Sequence, residues 1–271
     1  MGTHLSPSSE LDFAFQVERY YSALLSRAYA SPVEGDEPNL GGRLLYAGEL
    51  DDEGRAIVVA ANIAGAASLC VAGDTAAQKS ATRDGIVDFV VTHLDEALRI
   101  LKNELRKRQA VAVCVAEPGD KVESEMLERG VQPDLIAAGG AGNRRPDPQA
   151  NFGAAVVIAV PPEDALARVT WSVEEAPALW MRQIDAIALA CLGEDEAPLR
   201  RWLRLFPRYM GRLARGVRAL HCEPETANEI AGAIVQGVQD GRIGVPVSIC
   251  LNHPRQDPLL LKPSPPRTAG G

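Results

Sequence analysis

The chain has 271 residues, 46% of them hydrophobic and 24% charged, and a formal net charge of −8 at pH 7. That composition is ordinary for a folded globular protein and long enough to build a core without a disulfide or metal staple; its acidity excludes a general electrostatic draw to nucleic acid or anionic membrane. Four His and five Cys, the latter scattered without a CxxC pair, exclude a His-rich metal site or a zinc ribbon and read as a reduced, cytoplasmic protein.

Residues 1–10 carry no basic segment followed by an apolar one, so they read as a disordered start and not as a secretory signal. Residues 11–30 place Phe13, Val17, Tyr20, Leu24 and Ala28 at three- and four-residue steps, which predicts an amphipathic helix started by Ser9 or Asp12. A Pro/Gly/acidic linker follows over 31–42. Residues 43–47 (RLLYA) predict a strand, 48–54 (GELDDEG) a polar turn, 56–67 an Ala-rich helix and 68–72 a strand. The run 56–73 has no charge, but it is half Ala and Gly, contains Asn62 and lacks flanking aromatics, so a buried helix and strand account for it better than a membrane span.

The alternation continues with a helix over 74–83, a strand over 85–92, a helix over 94–108, a strand over 110–116, a helix over 120–129 ended by Gly130, and a strand over 133–138. The 94–108 helix is the clearest: Leu94, Ala97, Leu98, Leu101 and Leu105 share one face, with acids in its first turn, bases in its last and Thr92 as the expected N-cap. Continuous apolar strands between helices predict a parallel sheet covered on both faces. Residues 139–152 read as a loop and 153–160 as one more strand. Beyond lie a strand over 169–173, helices over 175–192, 198–206, 208–220 and 225–239, a strand over 245–251 and a loose tail over 252–271. The fold class expected is α/β: a Rossmann-like parallel sheet with helices on both faces, then a mainly α-helical C-terminal region.

Two stretches of this α/β part resemble the central Rossmann-like domain of urocanase. One is 61–69 (ANIAGAASL), preceded by a strand ending Ala47-Gly48. The other runs from Asp88 to Leu135, with LDEAL, an apolar strand and then EMLERGVQPDL. The resemblance divides the chain into an N-terminal helix and linker (1–42), the urocanase-like domain (43–160), a mainly helical region (161–252) and a tail (253–271). It also implies a bound NAD, its pyrophosphate cradled by a glycine-rich turn at a helix N-terminus, because only a residue without Cβ lets backbone N–H groups approach the phosphates.

The corresponding turn is 47–54, with Gly48 and Gly54 as the candidate cofactor-binding residues. It carries Glu49, Asp51, Asp52 and Glu53 where two phosphate charges belong. A like-charge contact at ~4 Å costs on the order of 4 kcal/mol at an effective dielectric near 20. The family's ribose-binding acid falls near Ala72, an Arg of the family falls near Gly85, and the family's TSxHDP loop is replaced by 139–148. Cofactor contacts have changed while core positions remain.

No Cys motif matching the family's catalytic core occurs, so no catalytic residue is assigned. Cys222 beside His221 reads as a helix-end residue, Cys70 and Cys114 as core, and His93 as a loop residue. Arg144 and Arg145 follow the Gly-rich run 139–142 and form one anion-binding candidate. Residues 199–218 hold seven Arg and no acid, with Arg204, Arg208 and Arg212 at helical spacing. They read either as an anion-binding face or as a solvated face paired to acids elsewhere.

These observations favour a urocanase-related protein with a degenerate NAD site that acts by binding or assembly, with no metal and no cofactor. An NAD-dependent urocanate hydratase of histidine breakdown and a small-anion binder are the alternatives. The expected partners are a small molecule or a protein, including a second copy, and neither nucleic acid nor membrane.

Overall fold

The computed structural model describes residues 7–29, 39–137, 152–153, 155–158, 167–251 and 259–263. The chain divides into two units, Gln16–Pro161 and the pair of segments Met1–Phe15 and Pro162–Gly271. One long helix, α1 (Pro7–Tyr29), contributes residues to each.

The Gln16–Pro161 unit is built on six parallel strands. In chain order its elements are β1 (Leu44–Glu49), α2 (Asp52–Ala64), β2 (Ala67–Val71), α3 (Thr75–Asp84), β3 (Phe89–Val91), α4 (Leu94–Lys107), β4 (Val111–Val115), α5 (Gly119–Glu128), β5 (Leu135–Ala137) and β6 (Val156–Ile158). The strand order is β3-β4-β2-β1-β5-β6 and every pairing is parallel. This is the Rossmann-like α/β architecture expected.

Alternation along the strands sorts the side chains into two faces of different size. Leu44, Tyr46, Leu69, Val71, Val113 and Val115 form one core with Leu94, Ala97 and Leu101 of α4 and Val122 and Met126 of α5. Of the residues between them, Ser68, Cys70, Ala112 and Cys114 are small and fully buried, and Leu45 is larger and equally buried. Helix α2 packs on β1, β2 and β4. Its buried side is mostly Ala, Val and Ile, and such short side chains let helix and sheet approach closely. The apolar run 56–73 is thus split between α2 and β2, as its composition predicted, and among the described residues no helix is long and apolar enough to cross a membrane.

Local signals explain most of the boundaries. Asp51 caps α2 by accepting from the Gly54 N–H at 2.8 Å, and Asp74 caps α3 through the Ala77 N–H at 2.9 Å. Both helices end on a glycine in the left-handed region, Gly65 at φ 93° and Gly85 at φ 75°. The N-cap of α4 is His93, not Thr92, and its side chain makes no capping bond. β3 is shorter than the 85–92 strand expected: Ile86 and Val87 are buried, but the chain enters the ladder only at Phe89.

The second unit holds β7 (Ala167–Ser172), α6 (Pro177–Ala190), α7 (Ala197–Met210), β8 (Val217–Cys222), α8 (Pro224–Gln239), β9 (Val247–Leu251) and β10 (Leu259–Leu261). Its four strands form an antiparallel sheet in the order β10-β9-β7-β8. The three helices match the helical character expected of this region. The sheet was legible only through β7 and β9.

The helix expected over 208–220 does not form as one element. α7 ends at Met210 and residues 217–222 are strand β8. Gly216 lies so close to β7 that an added Cβ would meet the Val173 carbonyl oxygen at 2.6 Å. β8 is buried on both faces, so its side chains carry no alternation that would have marked it as a strand.

Candidate functional site

In an open parallel sheet the crevice beyond the carboxyl ends of the strands is where ligands bind, at the point where successive connections depart in opposite directions. Here that point lies at β1, with β2 on one side and β5 on the other. The site is therefore assembled from the end of β1 and the helix N-termini around it.

β1 runs directly into α2 with only Leu50 and Asp51 between them. The register of β1 against β2 shifts between Tyr46 and Gly48, and Gly48 takes φ 72°, a conformation that glycine adopts without a Cβ clash. Gly54, in the first turn of α2, is packed against the end of β1: a Cβ there would lie 2.0 Å from the Glu49 carbonyl oxygen. Both glycines are thus explained by the turn itself, and the Gly54 N–H is already bonded to Asp51.

Glu49 reaches across the crevice. Its carboxylate accepts a hydrogen bond from the Gly119 N–H at 2.8 Å, the first residue of α5. Gly119 has no room for a larger residue, since a Cβ would lie 2.7 Å from that carboxylate oxygen. The N-cap of α5, Pro118, offers no side-chain acceptor, so Glu49 supplies the negative charge the helix N-terminus favours. Two helix N-termini at this edge, those of α2 and α5, therefore carry carboxylates of the protein's own chain.

The surrounding side chains are tied to one another. Glu53 accepts a hydrogen bond from the Tyr20 hydroxyl of α1. Burial, and then the Glu53 carboxylate beside it, push the Tyr20 phenol well above its ordinary range, so it stays a donor. Arg55 turns back to Asp84 at 2.6 Å. Burial works against the Asp84 carboxylate, but hydrogen bonds from Arg55, Arg83 and Ser80 outweigh it and hold the group below the usual range. Lys121 pairs with Glu117 at 2.5 Å, and the exposed His93 ring lies 4.0 Å from the same carboxylate. Among the described residues no group of three or more His, Cys, Asp or Glu is placed to hold a metal ion.

The model of the urocanase Rossmann-like domain matches residues 25–141. This stretch is similar to the urocanase Rossmann-like domain. The match spans the end of α1 and the parallel sheet from β1 to β5, and it contains the whole of the turn just described. Both segments through which the sequence resembles that family, 61–69 and 88–135, lie inside the matched residues.

Two thiols lie in its interior. Cys70 and Cys114 are register partners on β2 and β4 and are fully buried. The Cys70 thiol is pushed up by its hydrogen bond to the Cys114 sulfur and by burial, which keeps it protonated. Both are core residues, as expected.

The anion-binding candidates fall elsewhere. Arg144 and Arg145 lie outside the described residues, as do 139–142 and the tail beyond 263. Arg204 and Arg208 are exposed on α7, whereas Arg212 is exposed beyond the helix end, so the three do not share one helical face. The Arg208 guanidinium sits 5.1 Å from the Tyr209 ring centre. Others of the seven have structural roles. Arg200 donates to the Leu192 carbonyl at 2.7 Å, where α6 has just ended. Arg218 is buried on β8 and pairs with Asp185 of α6 at 2.7 Å.

Sequence reading missed three features: Glu49 on α5, Tyr20 on Glu53, and Arg218 with Asp185. Each pair is at least 33 residues apart, and no local pattern marks such partners. Cys222 is also corrected. It is a buried strand residue on β8, and His221 beside it points to the opposite face, where its ring nitrogen accepts from Arg168 Nε at 3.1 Å and Phe15 packs over the Arg168 guanidinium.

Proposed function

We propose that this chain is a urocanase-related protein whose dinucleotide turn has closed on itself, and that it acts by binding or assembly rather than by hydrating urocanate. The observation that carries this reading is the placement of Glu49 and Asp51. The N–H groups that a pyrophosphate would require at the starts of α2 and α5 are bonded to these two carboxylates, at 2.8 Å each.

The residues of the turn do not fit the cofactor's phosphates. Four acids occupy the five positions 49–53. A phosphate entering there would have to displace a carboxylate from each helix N-terminus and then remain beside it. At ~4 Å each such contact costs on the order of 4 kcal/mol at an effective dielectric near 20. The basic side chains described nearby, Arg55 and Lys121, are directed at Asp84 and Glu117. The scaffold positions, by contrast, are kept at full packing, as expected of a domain retained for its shape.

Cofactor release tests the reading. Purified protein is denatured and the supernatant examined by absorbance and mass. The expected result is no nicotinamide dinucleotide, together with no heat of binding when NAD is titrated into the native protein. Release of stoichiometric NAD, or loss of the urocanate ultraviolet band on mixing with the native protein, would overturn it in favour of the hydratase.

A further inference from the structure

Seven arginines and no acid lie between Leu199 and Arg218, and the fold divides them. Arg200 and Arg218 are used inside, at a helix end and in a buried ion pair. The other five are left toward solvent by the packing around them. α7 is fixed by its inner side: Trp202, Leu203, Phe206 and Met210 are buried, and the Trp202 indole donates to the Ala219 carbonyl at 2.9 Å. That anchoring leaves Arg204 and Arg208 exposed and Arg201 half-buried. Beyond the helix the Leu213 and Ala214 N–H groups both bond to the Met210 carbonyl, at 2.9 and 2.8 Å. Leu213 and Ala214 are buried in this turn, and Arg212 and Arg215 are exposed.

Exposed helix faces elsewhere in the protein interleave their charges. On α4 Lys107 pairs with Glu104 at 2.7 Å, and on α5 Arg129 pairs with Glu125 at 2.6 Å. On α7 the residues one turn before and after Arg204 are Arg200 and Arg208, and Arg212 follows Arg208 at the same step. Like charges one turn apart repel. A face that only had to be solvated has no need of that arrangement.

We propose that this basic surface docks a short acidic segment of another protein, bound in an extended conformation. The charge is complementary, and a guanidinium holds a carboxylate through two parallel hydrogen bonds. The spacing also agrees. Residues four apart on a helix stand about 6 Å apart along its axis, and alternate side chains of an extended chain stand about 6.6 Å apart on one side, so acids at every second position meet Arg204 and Arg208 in turn. Acids bound the surface at both ends, which limits the ligand to a short segment. Glu194 and Asp195 are exposed just before α7. Gly216, next to Arg215, is packed against the Val173 carbonyl, and the exposed Glu174 and Glu175 follow Val173. A long polyanion would run onto these acids. Nucleic acid is disfavoured for a second reason: Trp202 and Phe206, the aromatics interleaved with the arginines, are fully buried and offer no ring for a base to stack on. No residue of the dinucleotide turn takes part, so failure here leaves the reading of that turn untouched, and the reverse.

The test is binding of a fluorescein-labelled peptide of alternating Glu and Ser to the full chain, followed by anisotropy. The peptide is expected to bind at low salt, with a dissociation constant that rises several-fold as salt is brought to about 0.15 M. The same peptide with Gln in place of Glu is expected not to bind. Arg208→Gln with Arg215→Gln is expected to raise the dissociation constant about tenfold or more. Lys102→Gln with Arg106→Gln, at the exposed basic end of α4, is expected to leave it unchanged. Circular dichroism checks the fold of each, and Arg208→Gln alone reads a smaller loss should the first pair unfold. Absence of binding at low salt, binding weakened equally by both pairs or by neither, or tighter binding of an oligothymidylate or of inorganic polyphosphate than of the acidic peptide overturns the proposal.

Discussion

Arg218 was one of seven arginines in a basic segment that invited an anionic ligand, yet its partner is inside the protein. Its Nη2 and Nε reach Asp185 Oδ2 at 2.7 and 3.1 Å, Nη1 donates to the Val217 carbonyl at 2.8 Å, and the guanidinium stacks 4.4 Å from the Phe206 ring centre. Both side chains of the ion pair are less than a tenth exposed. Replacing Arg218 with Met keeps much of the volume but leaves an uncompensated carboxylate in the core, and breaking a buried pair in this way costs about 3–5 kcal/mol. That is a large share of the ~5–15 kcal/mol by which domains are stable.

The loss should depend on pH in a defined direction. Burial pushes the Asp185 carboxyl above its ordinary range, while Arg218 and the Trp171 ring work against that rise. An acid whose native pKa is raised destabilises the fold when ionised and ceases to do so as pH falls through that pKa. Removing Arg218 raises it further. The gap between wild type and Arg218→Met is therefore widest above the raised range of this carboxyl and narrows as pH falls through it. All three tryptophans, Trp171, Trp180 and Trp202, lie in Pro162–Gly271, so their emission during urea unfolding reports on this unit alone. Arg218→Met with Asp185→Leu should recover to within about 1–2 kcal/mol of wild type, since an apolar replacement leaves no buried charge. A loss under about 1 kcal/mol, a gap constant with pH, or a double variant as unstable as the single one would refute the reasoning.

Three further outcomes follow from the urocanase-like domain. Glu49→Ala removes the charge-assisted bond to Gly119 at the start of α5 and should cost about 1–2 kcal/mol, with faster amide exchange in the first turn of α5 as the direct readout. Gly54→Ala forces a Cβ into the space held by the Glu49 carbonyl and should cost about 1–3 kcal/mol or more by thermal unfolding, with or without NAD added. Arg55→Met removes the leading support for a lowered Asp84. Because the stability contributed by a depressed acid is present above its unfolded pKa and lost as pH falls through the folded one, acid unfolding of the variant should begin at a higher pH than in wild type, as followed by far-ultraviolet circular dichroism.

Much of the parallel-sheet unit was legible from residues alone, because its signals are local. The period of Leu94, Ala97 and Leu101 marks α4, and uninterrupted apolar runs mark strands buried on both faces, whereas the caps Asp51, Gly65, Asp74 and Gly85 emerged only with the structure, since the sequence placed Gly65 inside a helix and Gly85 inside a strand. The acids of the dinucleotide turn were also visible before any fold was known. What the residue order left open was where those acids point. Only the closing of β1 beside α5 brings Glu49 to the Gly119 N–H, 70 residues away.

The second unit shows the opposite balance. Residues 208–220 carry arginines at helical spacing and no strong breaker except Gly211 and Gly216, and a helix was the natural reading. Pairing of 217–222 with β7 overrode it, because burial on both faces and a full antiparallel ladder outweigh a weak local propensity. The fate of Arg218 followed from that pairing, which set it opposite Trp171 and above Asp185. Composition and periodicity thus determined the class of the fold and the acidic character of its turn. The partners of Glu49, Tyr20 and Arg218 were decided by tertiary structure, since each depends on distances that only the folded chain creates.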